Sequence, residues 1–429
     1  MSKKIRTVLV LIAVSSLLTT TFHTSAQRKS AAVAAVDPKS AAIVATTEAV
    51  LKETSELREL SVLRAVPSGA QSRADIERML IKNLDEQTTE AESHATEQSL
   101  KKLGMTNGDF HFRSFLVKLL AEQVAGYYDP KQRRFFLADW LDLESQKPAM
   151  VHELTHALQD QHFDLRRFEK WPKGDADAEL AAHALVEGDA MLAMELYLAK
   201  HPLVALAFIR SMGATGSNEQ FEGAPRIIRE TLIFPYQQGM IWTNALYKKN
   251  GWKTVSDAFT ELPQSTEQIM HPDKYFAHEA PTKVTLRDVH TLLGARWKRI
   301  DENVNGEWGY YLILDQFIKS EADSKRAAAG WGGDRYAVYE GATPNDVFIA
   351  AVTEWDTAND AREFFDAYSK RTRLRYAKEN LTELSASTSD RIQWNTSEGS
   401  VAVAVKDKRV IMLEGIPDGA DVNKLLAGL

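Results

Sequence analysis

Residues 150–158 read Met150-Val151-His152-Glu153-Leu154-Thr155-His156-Ala157-Leu158 and contain the pattern His-Glu-x-x-His. Pro148 suits the first turn of a helix, and the apolar residues that follow form a stripe that no Gly or Pro interrupts. In a helix, the four-residue step from His152 to His156 places both imidazoles on one face, about one turn apart. The stretch therefore predicts a rigid helix that carries two potential metal ligands side by side.

Two imidazoles in this arrangement can bind one zinc ion, and the carboxylate of Glu153 would project beside it. From there Glu153 could act as a general base toward a zinc-activated water, which is a hydrolytic arrangement. The pattern fixes only three residues in five, so chance occurrence is the alternative. A third ligand is therefore required.

The segment Asp175–Ala199 supplies candidates for that ligand on a second predicted helix. Glu187 lies in an otherwise apolar neighbourhood, where an unpaired carboxylate would cost several kcal/mol and a bound cation would remove most of that cost. We therefore select Glu187 as the third ligand. His183, one turn earlier, is the competitor or an ordinary histidine, and Asp189 could orient a ligand imidazole.

The two motifs together, His152–His156 and the later Glu187-Gly188-Asp189-Ala190, resemble the gluzincin branch of the zincin metallopeptidases. The resemblance covers residues 110–200. It implies a zincin-like fold with His152, His156 and Glu187 as zinc ligands and Glu153 as the general base. The interval from His156 to Glu187 is longer than in the most familiar members, and the third histidine of a metzincin is missing at its short spacing.

Length, composition and charge limit the class of protein and its possible partners. With 429 residues, 44% of them apolar and 26% charged, the sequence predicts a globular protein of two or three domains. The formal net charge of −7 and the lack of a Lys/Arg-rich cluster argue against a nucleic-acid partner. We expect a peptide or protein substrate instead.

The start of the chain has the pattern of a secretory signal. Lys3, Lys4 and Arg6 precede the apolar run 8–18, and small residues at 24–26 suit a cleavage site. Cleavage after residue 26 would give an exported protein, secreted or periplasmic, with a net charge of about −10 because three basic residues are lost. An uncleaved anchor is the alternative. The chain has no cysteine, so no disulfide stabilises it.

Residues 27–104 are predicted to form a tether, to about residue 45, and a helical extension that could be a propeptide. Phe110–Ala125 then reads as a helix, and two strands at 124–128 and 133–137 flank the turn residues 129–132, which predicts a hairpin. An edge strand beside a zinc site could hold an extended peptide across the metal.

The remainder of the predicted catalytic domain, 105–300, contains further candidate residues. Residues 234–239 are expected to form a compact turn before a helix at 240–249, and Tyr236 could supply a hydroxyl or a structural contact. Residues 263–275 read mostly as loop. Within that loop, His271 or Tyr275 could stabilise the oxyanion of a peptide hydrolysis, although a packed turn is an equal alternative.

Residues 301–429 have the character of a second, smaller domain. Strands at 335–339, 347–352, 391–394, 400–405 and 409–413, with three helices, predict a small α+β unit. Residues 327–334 read as a flexible turn that lacks the Lys and Ser/Thr of a phosphate loop, so nucleotide binding is rejected.

The predicted fold class is α+β: a mainly helical zincin-like metallopeptidase domain with a small sheet, followed by a small α+β C-terminal domain. The predicted function is that of a secreted zinc-dependent metallopeptidase, with Zn²⁺ as cofactor. The alternative is a zincin-like binding or structural domain whose metal serves stability only. The presence of Glu153 beside the ligand histidines favours the enzyme.

Overall fold

A computed structural model describes residues 38–121, 126–140, 142–214, 219–379 and 381–429. The predicted signal peptide, 1–26, and the first part of the predicted tether lie outside the described residues. The described chain combines helices with one mixed and one antiparallel sheet, so the α+β class is confirmed.

The N-terminal extension is more ordered than a tether. Helix α1 already begins at Pro38, inside the predicted tether, and the extension predicted as helical also contains a strand. The elements up to residue 121 are α1 (Pro38–Arg58), β1 (Ser68–Gln71), α2 (Arg73–Gln87), α3 (Glu90–Lys102) and α4 (Phe112–Ala121). Ser72 and Thr89 cap α2 and α3 by accepting hydrogen bonds from backbone N–H groups of the first turn.

The predicted hairpin is confirmed as β2 (Gly126–Asp129) and β3 (Arg134–Ala138). Asp129 stabilises its turn because Oδ1 accepts hydrogen bonds from the backbone N–H groups of Lys131 and Gln132. Strand β3 pairs in parallel with β1 and antiparallel with β2, which gives the order β1-β3-β2. Strand β2 is therefore an edge of this sheet.

Two helices form the centre of the molecule. Helix α5 (Lys147–Phe163) has Pro148 in its first turn, as expected, and α6 (Ala176–Lys200) is capped by Asp175, which accepts from the N–H of Ala178. A 3₁₀ helix, Leu165–Lys170, connects them, and α7 (Pro202–Ala214) and α8 (Glu219–Glu222) follow. No single described helix is long and apolar enough to cross a membrane, whereas α6 with the first part of α7, bent by 114°, passes the same criterion as a pair.

The turn predicted at 234–239 is wrong. Those residues lie inside α9 (Arg226–Ala258), which includes Pro235 and changes direction at Asn250 and Gly251, where Gly251 has φ 61°. The flanking side chains of Ile233, Phe234 and Tyr236 are buried, and their packing outweighs the backbone hydrogen bond that Pro235 cannot make.

A glycine contact sets the distance between α6 and α9. A Cβ added at Gly188 would lie 2.3 Å from the backbone of Gly239, and one added at Gly239 would lie 2.2 Å from the carbonyl oxygen of Ala184. Only glycine at these two positions allows the helices to approach so closely. Glu187 precedes Gly188 in the sequence, so this contact fixes the position of Glu187 along the helix axis relative to α9.

The segment predicted as mostly loop contains two short helices, α10 (Thr266–Met270) and α11 (Pro272–Phe276). Ser265 caps α10, because its hydroxyl oxygen accepts a hydrogen bond from the N–H of Gln268. The polar composition of this segment suggested a loop and gave no sign of this helix cap. Helix α12 (His290–Leu293) follows.

The C-terminal unit is built on a seven-stranded antiparallel sheet of order β4-β5-β6-β10-β9-β8-β7. Its strands are β4 (Lys298–Asn303), β5 (Trp331–Glu340), β6 (Val347–Trp355), β7 (Thr382–Glu383), β8 (Arg391–Thr396), β9 (Gly399–Lys406) and β10 (Arg409–Ile416). Its helices are α13 (Gly306–Ile318), α14 (Glu321–Ala328), α15 (Ala358–Arg375) and α16 (Val422–Gly428). The five predicted strands are confirmed as β5, β6, β8, β9 and β10.

Two details of this unit differ from expectation. Strand β4 crosses the predicted domain boundary at residue 300 and pairs with β5. Gly332 and Gly333, expected in a flexible turn, belong to β5, where the register shifts by a bulge between Trp331 and Gly333. Glycine-rich sequence here marks a bulge rather than a loop.

One hydrophobic core runs through the N-terminal extension, the central helices and one face of the large sheet. Buried members include Val50 and Leu57 of α1, Leu154 of α5, Leu185 of α6 and Met412 of β10. Because α1 contributes to this shared core and β1 pairs with β3, residues 38–104 form an integral part of the fold. Whether these residues are a propeptide stays a prediction.

Buried carboxyl groups lie where the central helices meet the C-terminal unit. The carboxyl oxygens of Asp177, the second residue of α6, accept from the hydroxyl of Thr266 at 2.5 Å and from its backbone N–H at 3.0 Å. Gly306 passes so close that a Cβ there would overlap Asp177. Burial raises the pKa of Asp177 to about 8 and that of Asp334 to about 6.

We expect the free energy of unfolding to fall as the pH rises from 6 to 8. The folded state keeps a proton on Asp177 up to about pH 8, whereas the unfolded chain releases it near pH 3.8, so raising the pH through this window favours unfolding. The slope for one such proton is at most about 1.4 kcal/mol per pH unit. Denaturant titrations of the wild type and Asp177→Asn at pH 6, 7 and 8 measure it. Parallel pH profiles for the two proteins would contradict this assignment.

Candidate metal centre

The structure brings together the three side chains that sequence analysis selected as metal ligands. His152 and His156 come from α5, and Glu187 comes from α6, which packs against it. The Nε2 atom of His152 lies 3.1 Å from Oε2 of Glu187 and 3.1 Å from Nε2 of His156, and the third separation, His156 to Glu187, is 3.6 Å. Three potential donor atoms thus converge on one point.

These separations fit a tetrahedral ion. Zinc binds imidazole nitrogen and carboxylate oxygen at about 2.0–2.2 Å, so two ligands of a tetrahedral site should lie roughly 3.3 Å apart. The observed values of 3.1, 3.1 and 3.6 Å bracket that distance. Three protein ligands would leave the fourth position open.

The cluster is shielded from solvent and charged. The three ligands are at most 4% exposed. Burial lowers the pKa of His152 to about 4. Burial also opposes charge on the other two, yet the attraction between them raises the pKa of His156 to about 9 and holds that of Glu187 at about 2. Glu187 is therefore an anion paired with a protonated His156, and a bound metal ion would take the place of that proton.

Two buried atoms of the cluster have no hydrogen-bond partner among the residues that the structure describes. They are Nδ1 of His152 and Oε1 of Glu187. An unsatisfied buried carboxylate oxygen is costly, and a second contact with a cation would relieve that cost. On its other side His152 packs against the ring of Tyr236, with centroids 6.1 Å apart and planes inclined by 24°, so Tyr236 of α9 helps to orient the imidazole.

A chain of hydrogen bonds orients His156. Its Nδ1 lies 2.9 Å from Oε1 of Gln159, whose amide nitrogen donates to the carbonyl of Val186 and to Asp189. Because that amide nitrogen has two acceptors, Oε1 must face the imidazole and accept from its Nδ1–H. The Nε2 lone pair of His156 is then available to a metal. Asp189, expected to orient a ligand directly, acts through Gln159.

The last residue in this series of hydrogen bonds is a buried arginine from the N-terminal extension. The Nε–H of Arg58, the last residue of α1, donates to Oδ1 of Asp189 at 2.5 Å, and both side chains are fully buried. The guanidinium also lies 4.4 Å from the ring centre of Trp252. Without Arg58, Asp189 would be an uncompensated buried charge, which typically costs about 3–5 kcal/mol.

Glu153 lies beside the ligands without belonging to their group. It is 3% exposed, and its Oε2 accepts a hydrogen bond of 3.0 Å from the backbone N–H of Tyr128. Tyr128 belongs to edge strand β2, and its hydroxyl donates to Asp160, one turn beyond His156 on α5. The edge strand thus lies along the metal helix, as the sequence suggested.

The remaining predicted site residues lie apart from this cluster. His183 is half-buried and does not belong to the ligand group, so the structure favours Glu187. His271 interacts with Glu307 at 2.9 Å, which raises its pKa, and the hydroxyl of Tyr275 donates to the carbonyl of Glu261. The oxyanion role of His271 or Tyr275 stays a prediction.

A second carboxylate group within the described residues, Glu267, Glu279 and Asp356, also has the spacing of a cation site. The ammonium of Lys274 donates to all three, at 2.8, 2.6 and 2.6 Å. Lysine therefore already provides the cation, and the group links α11 to the end of β6.

Sequence reasoning missed three residues that shape the centre: Gln159, Arg58 and Tyr128. Gln159 was detectable, because it lies one helical turn after His156 on the same face. Arg58 and Tyr128 reach the site through tertiary contacts with α6 and α5, so no spacing in the sequence reveals them.

Comparison with known proteins adds one finding. A family model described as a domain of unknown function (DUF8575) matches residues 292–426. This range covers the seven-stranded sheet and its helices up to residue 426, within α16, and includes none of the residues of the candidate metal cluster. No curated protein and no solved structure matches the chain.

Proposed function

We propose that this protein is a zinc-dependent metallopeptidase of the gluzincin type. One observation carries the proposal: three donor atoms lie at tetrahedral separations while Glu153 is held next to them by Tyr128, outside the ligand group. A purely structural zinc site needs four protein ligands and no adjacent base.

A bound zinc ion would act as a Lewis acid that lowers the pKa of water and polarises a carbonyl. His152, His156 and Glu187 would hold the ion, and Gln159 would keep His156 in the tautomer that presents Nε2. Glu153 would accept the proton of the attacking water and deliver it to the departing amine. Strand β2 would hold Glu153 beside the substrate, because its Tyr128 N–H donates to that carboxylate.

The second candidate function is a binding or structural domain whose metal only stabilises the fold. The near-complete burial of the ligands favours it, because a substrate must reach the metal. The position of Glu153 and the open fourth coordination position favour the enzyme. Peptide or protein substrates and export through residues 1–26 belong to the same proposal.

The test uses the full mature chain. We expect about one zinc ion per molecule by elemental analysis and cleavage of peptides in an unbiased library, because three protein ligands suffice to retain a catalytic ion. Chelation should abolish cleavage, and added zinc should restore it. Zinc binding without cleavage of any peptide would support the structural domain, and the lack of stoichiometric zinc would refute both functions.

A further inference from the structure

A cavity lined by arginines lies beside the C-terminal end of helix α5, beyond His152 and His156. It has a volume of about 420 Å³, within the range of ligand pockets. Its wall includes the C-terminal end of α5, from Asp160 to Phe163, the hairpin residue Arg133, and the arginines 64, 166 and 167. The chain as a whole is acidic, so this concentration of positive charge is local.

Two of the four guanidinium groups are already neutralised. Arg64 donates to Asp160 at 2.5 Å, and Arg166 makes a two-point interaction with Asp164. Asp160 also accepts from the hydroxyl of Tyr128 and from the N–H of Leu165, so its oxygens are occupied.

The other two arginines keep their charge available. In the part of the chain that the structure describes, neither Arg133 nor Arg167 forms an ion pair with a carboxylate, and Arg167 donates to the carbonyl oxygen of Phe259. Both are exposed at the rim of the cavity. Arg133 and Asp164 have φ of 52° and 54°, a conformation uncommon for residues other than glycine and often found at functional sites.

The cavity also has a defined distance from the metal cluster. His156, Asp160 and the cavity residues follow one another along α5, and Tyr128 connects the two sites because its N–H contacts Glu153 and its hydroxyl contacts Asp160. Residues 161–164 are about 8–12 Å beyond His156 along the helix axis. An extended peptide covers that distance in roughly two to four residues.

We propose that this cavity is a substrate subsite that binds a carboxylate two to four residues from the scissile bond, through Arg133 and Arg167. This rests on the proposed peptidase function and specifies its substrate class as acidic peptides. Guanidinium groups suit the site because they bind a carboxylate with two parallel hydrogen bonds.

Binding is measured without catalysis, by calorimetry on the zinc-loaded full chain carrying Glu153→Gln. The probes are ten-residue Ala/Ser peptides, blocked at both ends, with either three consecutive Glu or three Gln residues. We expect the Glu peptide to bind about fivefold tighter or more. The preference should weaken in 0.5 M NaCl because salt screens exposed charges. The bound carboxylate could belong to a side chain or to the C-terminus of the peptide. An otherwise neutral peptide with a free C-terminal carboxylate distinguishes these two sources.

The preference should disappear when Arg133→Gln and Arg167→Gln are added, and it should persist with the matched control Arg287→Gln/Arg296→Gln, whose arginines are exposed elsewhere. The single variant Arg133→Gln is made as well, in case the double variant misfolds, because the Arg133 side chain forms no hydrogen bond within the described part of the chain. Equal binding of Glu and Gln peptides, or a preference that survives the double variant, would overturn the subsite. Wild-type protein that cleaves no peptide would overturn the peptidase function separately, since the binding measurement does not depend on cleavage.

Discussion

Glu153→Gln is expected to lower kcat for peptide cleavage by on the order of 10² or more while zinc stays bound. The change removes the only property that a general base needs, a basic oxygen beside the attacking water. The amide oxygen of Gln can still accept the hydrogen bond from Tyr128, so the local structure should persist. Initial rates on a peptide found by library screening, with zinc content and Tm measured in parallel, provide the test.

The matched control is Glu195→Gln, which removes an exposed carboxylate from α6. We expect its rate, zinc content and Tm to equal those of the wild type. If Glu153→Gln instead loses most of its zinc, Glu153 is part of the metal site rather than a base. If it retains full activity, the mechanism needs a different base.

The central helices were the part of the fold most accessible to sequence analysis. Each of α5 and α6 has its own local determinants: Pro148 in one first turn, the Asp175 cap in the other, and no internal proline. A four-residue step between ligands on one helix is a local property, and the helical geometry alone brings the imidazoles together. Glu187 followed from a burial argument, because a lone carboxylate in an apolar helix needs a partner.

The failures concern residues whose environment is set by tertiary packing. Pro235 suggested a turn, yet the glycine contact between α6 and α9 and the buried neighbours of Pro235 keep the helix continuous. Gly332 and Gly333 suggested a loop, yet pairing with β6 incorporates them as a bulge. In both cases a local signal was overridden by burial and by pairing with a partner distant in sequence.

The N-terminal extension also makes a tertiary contact that sequence analysis could not predict, and this contact affects the candidate metal site. Its composition suggested a tether and a helical extension that could be a propeptide, and nothing in it indicated that Arg58 completes the buried hydrogen-bond chain Arg58–Asp189–Gln159–His156. This chain makes the orientation of a ligand imidazole depend on a residue 98 positions earlier in the sequence. Residues that orient metal ligands typically change metal affinity by 10–100-fold, so α1 is part of the proposed metal centre.

Glu187→Ala is expected to weaken zinc binding by more than about 100-fold, or about 2.8 kcal/mol, because it removes a ligand rather than a residue that orients one. Two imidazoles would remain, without the carboxylate that balances the charge of the ion in this buried site. The control, His183→Ala, removes a half-buried imidazole one turn earlier on the same helix and should leave zinc affinity unchanged. Competition with a chromogenic zinc chelator measures both variants.

The same pair of variants also decides whether Glu187 or His183 of α6 is the third ligand. Loss of zinc in His183→Ala with retention in Glu187→Ala would mean that α6 lies about one helical turn away along its axis, which would contradict the 3.1 Å separation between His152 and Glu187. Equal loss in both variants, with lowered Tm, would point to disrupted packing of α6 against α5. Loss confined to Glu187→Ala supports a ligand set of two histidines and one glutamate, because Glu187 is the one residue of α6 with a carboxylate oxygen grouped with both imidazoles.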